Sequence, residues 1–344
     1  MKSALSVLTL ATCCASALAQ TPQTGGASPG PRAVDRAISA TQANAPAFRG
    51  KIRGNALLRD GTSAAPELYP GEMEDVGPQF LVARDQKAAP ERRLFEAFVD
   101  TQLFYTSNAL LTEKGNQDTS VMVLTLQAAF NLPQFELAGG TVSPRVGYRH
   151  QWWMYSLDDT SNQLNNFDFA LSTFFLNFQH NWNDRWVANV GLEYNRFLSA
   201  DNDWTEFYVE LMPNWSFEHI IPIGESAQIA LGYYGSYHFT QTDPQPTRNI
   251  NDRLDNALGF TYTRELRPSL YLQTTYRWQW SHYTENSDRN DIYHNAALAL
   301  VYVFNDWASI RTFISYENRN STDDTVADYN KWDSGGGVTF SAQF

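Results

Sequence analysis

Residues 270–280 read LYLQTTYRWQW. In a β-strand successive side chains point to opposite faces, so Leu270, Leu272, Thr274, Tyr276, Trp278 and Trp280 share one face. Gln273, Thr275, Arg277 and Gln279 share the other. One face is apolar and aromatic, the other polar. A soluble antiparallel sheet can show the same alternation with its apolar face in a core, so the choice between a soluble sheet and a membrane wall rests on the remaining sequence.

That pattern recurs in twelve runs, near 95–107, 119–131, 140–157, 165–181, 184–199, 203–218, 225–241, 252–265, 267–283, 290–304, 306–318 and 332–344. Most exceed both the roughly 5–6 residues of a soluble strand and the roughly 9–11 that cross a bilayer at a tilt. In one run Phe207, Val209, Leu211, Trp215 and Phe217 alternate with Glu206, Glu210, Asn214 and Glu218. The connections alternate between long segments such as SNALLTEKGNQD and HYTENSDRND and tight ones such as NWND, REL and FND, with LSADND and HIIPIGE as exceptions. An even strand count with short turns at one rim and long loops at the other predicts a membrane barrel. Trp215, Tyr237, Trp278, Trp280 and Phe344 are expected to form its lipid-facing aromatic girdle, because amphipathic rings favour headgroup depth.

The chain opens MKSALSVLTLATCCASALAQ: one basic residue, an apolar run and an Ala17-Leu18-Ala19 cleavage pattern, the form of an export signal over residues 1–19. Both cysteines, Cys13 and Cys14, fall inside it, so disulfide scaffolds and thiolate metal sites are excluded from the mature chain. Residues 20–93 are rich in Pro, Gly, Ala, Gln and Thr and include both a basic portion (Arg49, Lys51, Arg53, Arg59) and the acidic stretch PELYPGEMEDVGPQF. This composition predicts a flexible, largely irregular N-terminal periplasmic extension. It carries ten Lys/Arg and eight Asp/Glu, whereas residues 94–344 carry fourteen and twenty-nine. So acidic a chain is a poor ligand for nucleic acid.

The last residues read GGGVTFSAQF, with Val338, Phe340, Ala342 and Phe344 on one face. Here the chain resembles the bacterial outer-membrane β-barrel proteins, whose final strand alternates apolar residues and stops at a terminal Phe. The resemblance covers roughly 250 of the 344 residues. It implies an all-β fold, a 12-stranded antiparallel transmembrane barrel over residues 94–344, in the outer membrane of a Gram-negative bacterium. The partners it implies are outer-membrane lipid, lipopolysaccharide and the barrel-assembly machinery, which reads the last strand.

By the same parity Arg145, Arg149, Glu193, Glu206, Glu210, Arg277 and Arg311 should line the lumen, with basic residues gathered apart from acidic ones. A charged lumen ranks ions and polar solutes by charge and size, so the expected function is a porin-like passive channel without cofactor or metal. The alternative is a scaffold or anchor barrel whose extension binds a periplasmic partner or plugs the lumen. A third reading, a barrel-embedded lipid esterase, rests on Ser236 and His238 sharing one face.

Overall fold

The computed structural model describes residues 94–343, except 110, 112, 114–117, 156, 158–167, 183–184, 200–203, 225, 243–248, 250, 286–288, 306 and 325. The expected signal peptide, the extension and Phe344 lie outside the described residues. Thirteen strands follow in order: β1 (Phe95–Thr106), β2 (Thr119–Asn131), β3 (Phe135–Leu137), β4 (Gly140–Met154), β5 (Phe169–Trp182), β6 (Trp186–Ser199) and β7 (Glu206–Ile223). The rest are β8 (Ala227–Thr242), β9 (Arg253–Arg267), β10 (Leu270–Tyr283), β11 (Asn290–Asn305), β12 (Ala308–Ser321) and β13 (Tyr329–Gln343). Sequential neighbours pair antiparallel, β1 pairs with β13, and β2 pairs with β4. Those last two pairings close a ring of twelve strands; β3 is a short flap on the end of β4.

The alternation pattern predicts only a plain connection where the flap lies. Pro133 has no N–H to continue the β2 ladder, and the chain breaks there before Phe135–Leu137 pairs with Gly140–Val142. Ala138 (φ 49°) and Gly139 (φ 76°) make the two-residue hairpin, whose left-handed backbone matches strand twist. At the same rim Pro268 and Ser269 (φ 67°) turn β9 into β10. The other rim carries the long connections 107–118, 155–168 and 243–252.

The strands of the ring turn most of their large apolar side chains outward and most of their polar ones inward. Leu103, Leu126, Phe174, Val190, Leu258 and Leu298 are all exposed, while Gln102, Thr125, Thr173, Asn189, Asp255 and Asn295 are buried. A soluble barrel does the reverse, and an apolar belt around a whole molecule is stable only in hydrocarbon. Closure leaves no unpaired strand edge, as a bilayer requires. The protein is therefore built as a transmembrane β-barrel. Following register partners once round the ring returns to β1 displaced by about 18 residues. For twelve strands that stagger sets a tilt of about 45° and a backbone radius of about 13 Å.

The outer aromatics sit as follows. Trp278 and Trp280 face outward near the loop end of β10, where Trp280 stacks on His282 (centroids 5.8 Å). Tyr237 faces outward on β8 and its hydroxyl lies 2.9 Å from that of Thr284. Trp215 faces outward from the middle of β7 instead of a rim, and its indole fills the space left by Gly235; a Cβ there would lie 2.3 Å from the ring.

Candidate functional site

The inner wall holds nearly all of the buried charge. On β12, Arg311 donates from both terminal nitrogens to Asp100 of β1, at 2.7 and 2.7 Å, and also to Thr339 at 2.9 Å. The guanidinium has to cross β13, and it does so beside Gly337, where a side chain would collide with it. The neighbouring Gly335 lets Phe104 and Phe313 meet over the same strand, their centroids 6.1 Å apart.

A second cluster spans β6 to β9. Glu210 accepts from Asn195 at 2.9 Å and lies 3.0 Å from Nδ1 of His238; Nε2 of that ring lies 3.1 Å from Asp255 and 3.0 Å from Ser236. Arg253 lies 3.3 Å from Asp255 and 3.0 Å from the His238 Nδ1. All these side chains are buried. Ser236, His238 and Glu210 have the spacing of a nucleophilic triad, yet a nucleophilic serine needs the Nε2 lone pair to take its proton. Here a second carboxylate faces that nitrogen, so the imidazole bridges two acids and Ser236 is only its neighbour.

Elsewhere Arg149 pairs with Glu193 at 3.3 Å, and Arg145 approaches Glu96 at 3.9 Å and lies over the Phe175 ring. Arg277 is fully buried and donates to Gln279, which donates to Ser281 at 3.0 Å. Near the loop rim Lys331 lies 3.4 Å from both Glu317 and Asp333, and Arg289 chelates Asp291.

Two expectations from sequence are corrected. Glu206 does not reach the lumen: the register slips between Phe197 and Leu198, so Glu206 pairs with the outward Leu198 and bonds Arg196 at 2.6 Å on the outer face. The same bulge turns Phe207 inward, buried against Phe169 and Phe197, although simple alternation places it on the lipid face. Nor do the charges segregate. Arg149 with Glu193 and Arg311 with Asp100 interleave the two signs, because an unpaired buried charge is far more costly than a paired one.

Arg253, Arg289, Arg319, Glu317, Lys331 and Asp333 also belong to the inner face, and sequence reading does not single them out. Parity marks them: Arg253 is two residues before Asp255, and Arg319 eight beyond Arg311. An apolar arc on the inner face is likewise absent from the sequence reading. Phe104, Val121, Val123, Trp153, Phe169, Leu171 and Phe197 form one buried cluster there, toward the loop rim. Trp153 stacks on Phe169 within it at 5.6 Å and 13°.

No family model matches the chain, and no curated protein matches it. Solved structures do resemble it. An outer-membrane channel from Pseudomonas putida F1 is 9% identical with a TM-score of 0.47, covering 76% of this chain and 100% of its own. A bacterial polysaccharide outer-membrane secretin is 9% identical at 0.44, covering 73% and 99%. The KdgM porin in complex with disordered oligogalacturonate is 11% identical at 0.37, covering 71% and 98%.

Proposed function

We propose that the chain is a porin-like channel of the Gram-negative outer membrane, through which small polar solutes and ions diffuse passively. The observation that supports this reading is the wall itself: polar and charged side chains face inward on every strand of a closed ring whose outer face is apolar. A barrel built only as an anchor needs the outer belt but no charged interior, which is costly to assemble. Ions of either sign meet paired charges along such a wall, so selectivity is set by the small imbalance between the two signs that it presents. Lipid and lipopolysaccharide are the partners of the outer belt. The assembly machinery takes β13, whose outward face carries Val338 and Phe340.

The test is single-channel recording of purified protein in a planar bilayer under a salt gradient. Stepwise conductance with a stable reversal potential is expected. Silence of both the full chain and a chain shortened to its barrel would refute the channel and favour the scaffold.

A further inference from the structure

On the inner wall of β1, β2 and β4 three polar side chains stand together without partners. Gln102, Thr125 and Gln151 are each 0% exposed, and neither amide atom of either glutamine nor the threonine hydroxyl has a hydrogen-bond partner among the described residues. Thr125 stands directly opposite Gln151, and Gln102 lies two residues along β1 from Asp100, which faces Thr125. Side chains so placed are about 5–8 Å apart at Cβ, yet these three do not bond one another. Elsewhere on the wall such neighbours do: Thr173 donates to Asn195 at 2.6 Å, and Asn189 to Ser216 at 3.0 Å. Desolvating an amide without a partner is costly, so a set of such groups in one place points to a ligand that supplies the bonds.

An aromatic floor adjoins them. Trp153, two residues beyond Gln151 on the same face, pairs in register with Val123 and Phe169, and Val123 in turn pairs with Gln102. The Trp153 ring centroid lies 5.6 Å from that of Phe169 and 6.2 Å from that of Tyr155, which is 6.4 Å from Phe169; all three planes agree within 29°. Near-parallel rings at nearly equal separations are spread over an area, since a column would put one pair at twice the distance of the others. Tyr155 is fixed at its backbone, its N–H donating to Asp168 at 2.6 Å and its carbonyl accepting from Thr119 at 3.1 Å. The indole N–H of Trp153 is buried and unpartnered too. The charged residues that flank the patch on β1 and β4 are already matched, Asp100 with Arg311 and Arg149 with Glu193.

We propose that this patch is a binding site for a neutral saccharide on its way through the barrel. The proposal rests on the channel reading above and names its solute class. Small-molecule sites combine aromatic walls with a few placed polar groups, and that is the make-up here. A sugar ring has a face of C–H bonds that lies flat on aromatic rings, and hydroxyls at its edge, each both donor and acceptor. A glutamine amide offers an acceptor and two donors in one plane, so Gln102 and Gln151 each match a pair of adjacent hydroxyls, and Trp153 adds a donor from the floor itself. An aliphatic solute leaves the amides unmet. A charged one gives up hydration without finding an unmatched countercharge. A site inside a channel has to release what it takes up, which suits a few neutral hydrogen bonds and one stacked face better than an ion pair.

Maltotetraose, a neutral glucose oligomer, is the probe, and titration calorimetry of the full chain in detergent micelles reads its binding. Saturable binding is expected. Gln151→Leu should weaken it at least about tenfold through one or two lost hydrogen bonds. Its stability to urea should be unchanged or raised, because the amide it removes has no partner in the wall. Trp153→Leu should weaken binding about as much through the lost stacking face, in protein whose heat-modifiable migration shows a folded barrel. Gln273→Leu, on β10 between Thr263 and Ala299, removes an equally buried and unpartnered amide away from the aromatic floor and should leave the affinity unchanged. Absence of binding, equal affinity in Gln151→Leu, equal weakening by Gln273→Leu, or tighter binding of the carboxylated tetragalacturonate or of a nucleoside overturns the site. In bilayers maltotetraose should interrupt the current of the parent chain and spare that of Gln151→Leu at the same concentration. A chain that conducts but binds no sugar overturns the site and leaves the channel standing, whereas sugar binding that falls in both patch variants of a chain that never conducts keeps the site and overturns the channel.

Discussion

Asp100→Ala should be among the most damaging single changes outside the membrane-facing belt. Asp100 and Arg311 have side-chain exposures of 8% and 11% and are joined by two bonds of 2.7 Å, with Thr339 donating a third to Asp100 at 2.5 Å. Removing the carboxylate strands a guanidinium that keeps one neutral partner, Thr339. Breaking a buried pair from one side costs roughly 3–5 kcal/mol; the slight residual exposure places this one near the low end, at about 3 kcal/mol. Asp100→Asn keeps one acceptor and should lose about half of that. Asp100→Ala combined with Arg311→Met removes the stranded charge, so its loss should fall below the sum of the single losses by at least about 1 kcal/mol. Urea titration of barrels folded into phospholipid vesicles, followed by tryptophan fluorescence, measures all of these variants against the parent chain. A loss under about 1 kcal/mol for Asp100→Ala, or strict additivity in the double variant, would refute the view that this bond clamps β12 to β1 across β13.

Glu193→Lys should shift the reversal potential toward anion preference in bilayers of the conducting chain, whereas Glu206→Lys should leave it unchanged, because only the former faces the lumen; equal shifts would contradict the bulge. Gly335→Ala brings a Cβ to 2.3 Å from the Leu103 carbonyl oxygen, so urea titration should show about 1–3 kcal/mol lost. Gly139→Asn, with nothing within 4 Å of the new Cβ and a φ of 76° that Asn accepts, should be near neutral by the same titration. Ser236→Ala should retain fold and conductance, and any hydrolytic activity toward a lipid ester that vanished with it would reopen the esterase reading.

The barrel is legible in the sequence because a strand period of two, sustained well past the length of soluble strands, fits a membrane wall and little else. Inner and outer faces can be assigned residue by residue wherever the period holds, as at Arg277 and Trp278. It fails at Glu206 and Phe207, where one extra residue in β7 reverses the faces. A bulge leaves no mark in the alternation of a run already rich in both classes, and only the register of β6 against β7 shows it. The pairing of charges is equally hidden. Arg311 reaches a strand two places away, and its partner Asp100 lies 211 positions earlier, a distance at which parity is silent. The apolar arc escapes a reading that takes aromatic residues for lipid contacts, although Phe104 and Trp153 share the parity of their polar neighbours.

The seam between β1 and β13 has a consequence for biogenesis. Eleven register partners, from Glu96 opposite Gln343 to Thr106 opposite Asp333, join the first wall segment to the last. Until β13 is in place, β1 and β12 each present a ladder of unmatched amides, which hydrocarbon does not tolerate. This seam is the one that turns an open sheet into a ring, so both of its edges need a cover until it is sealed.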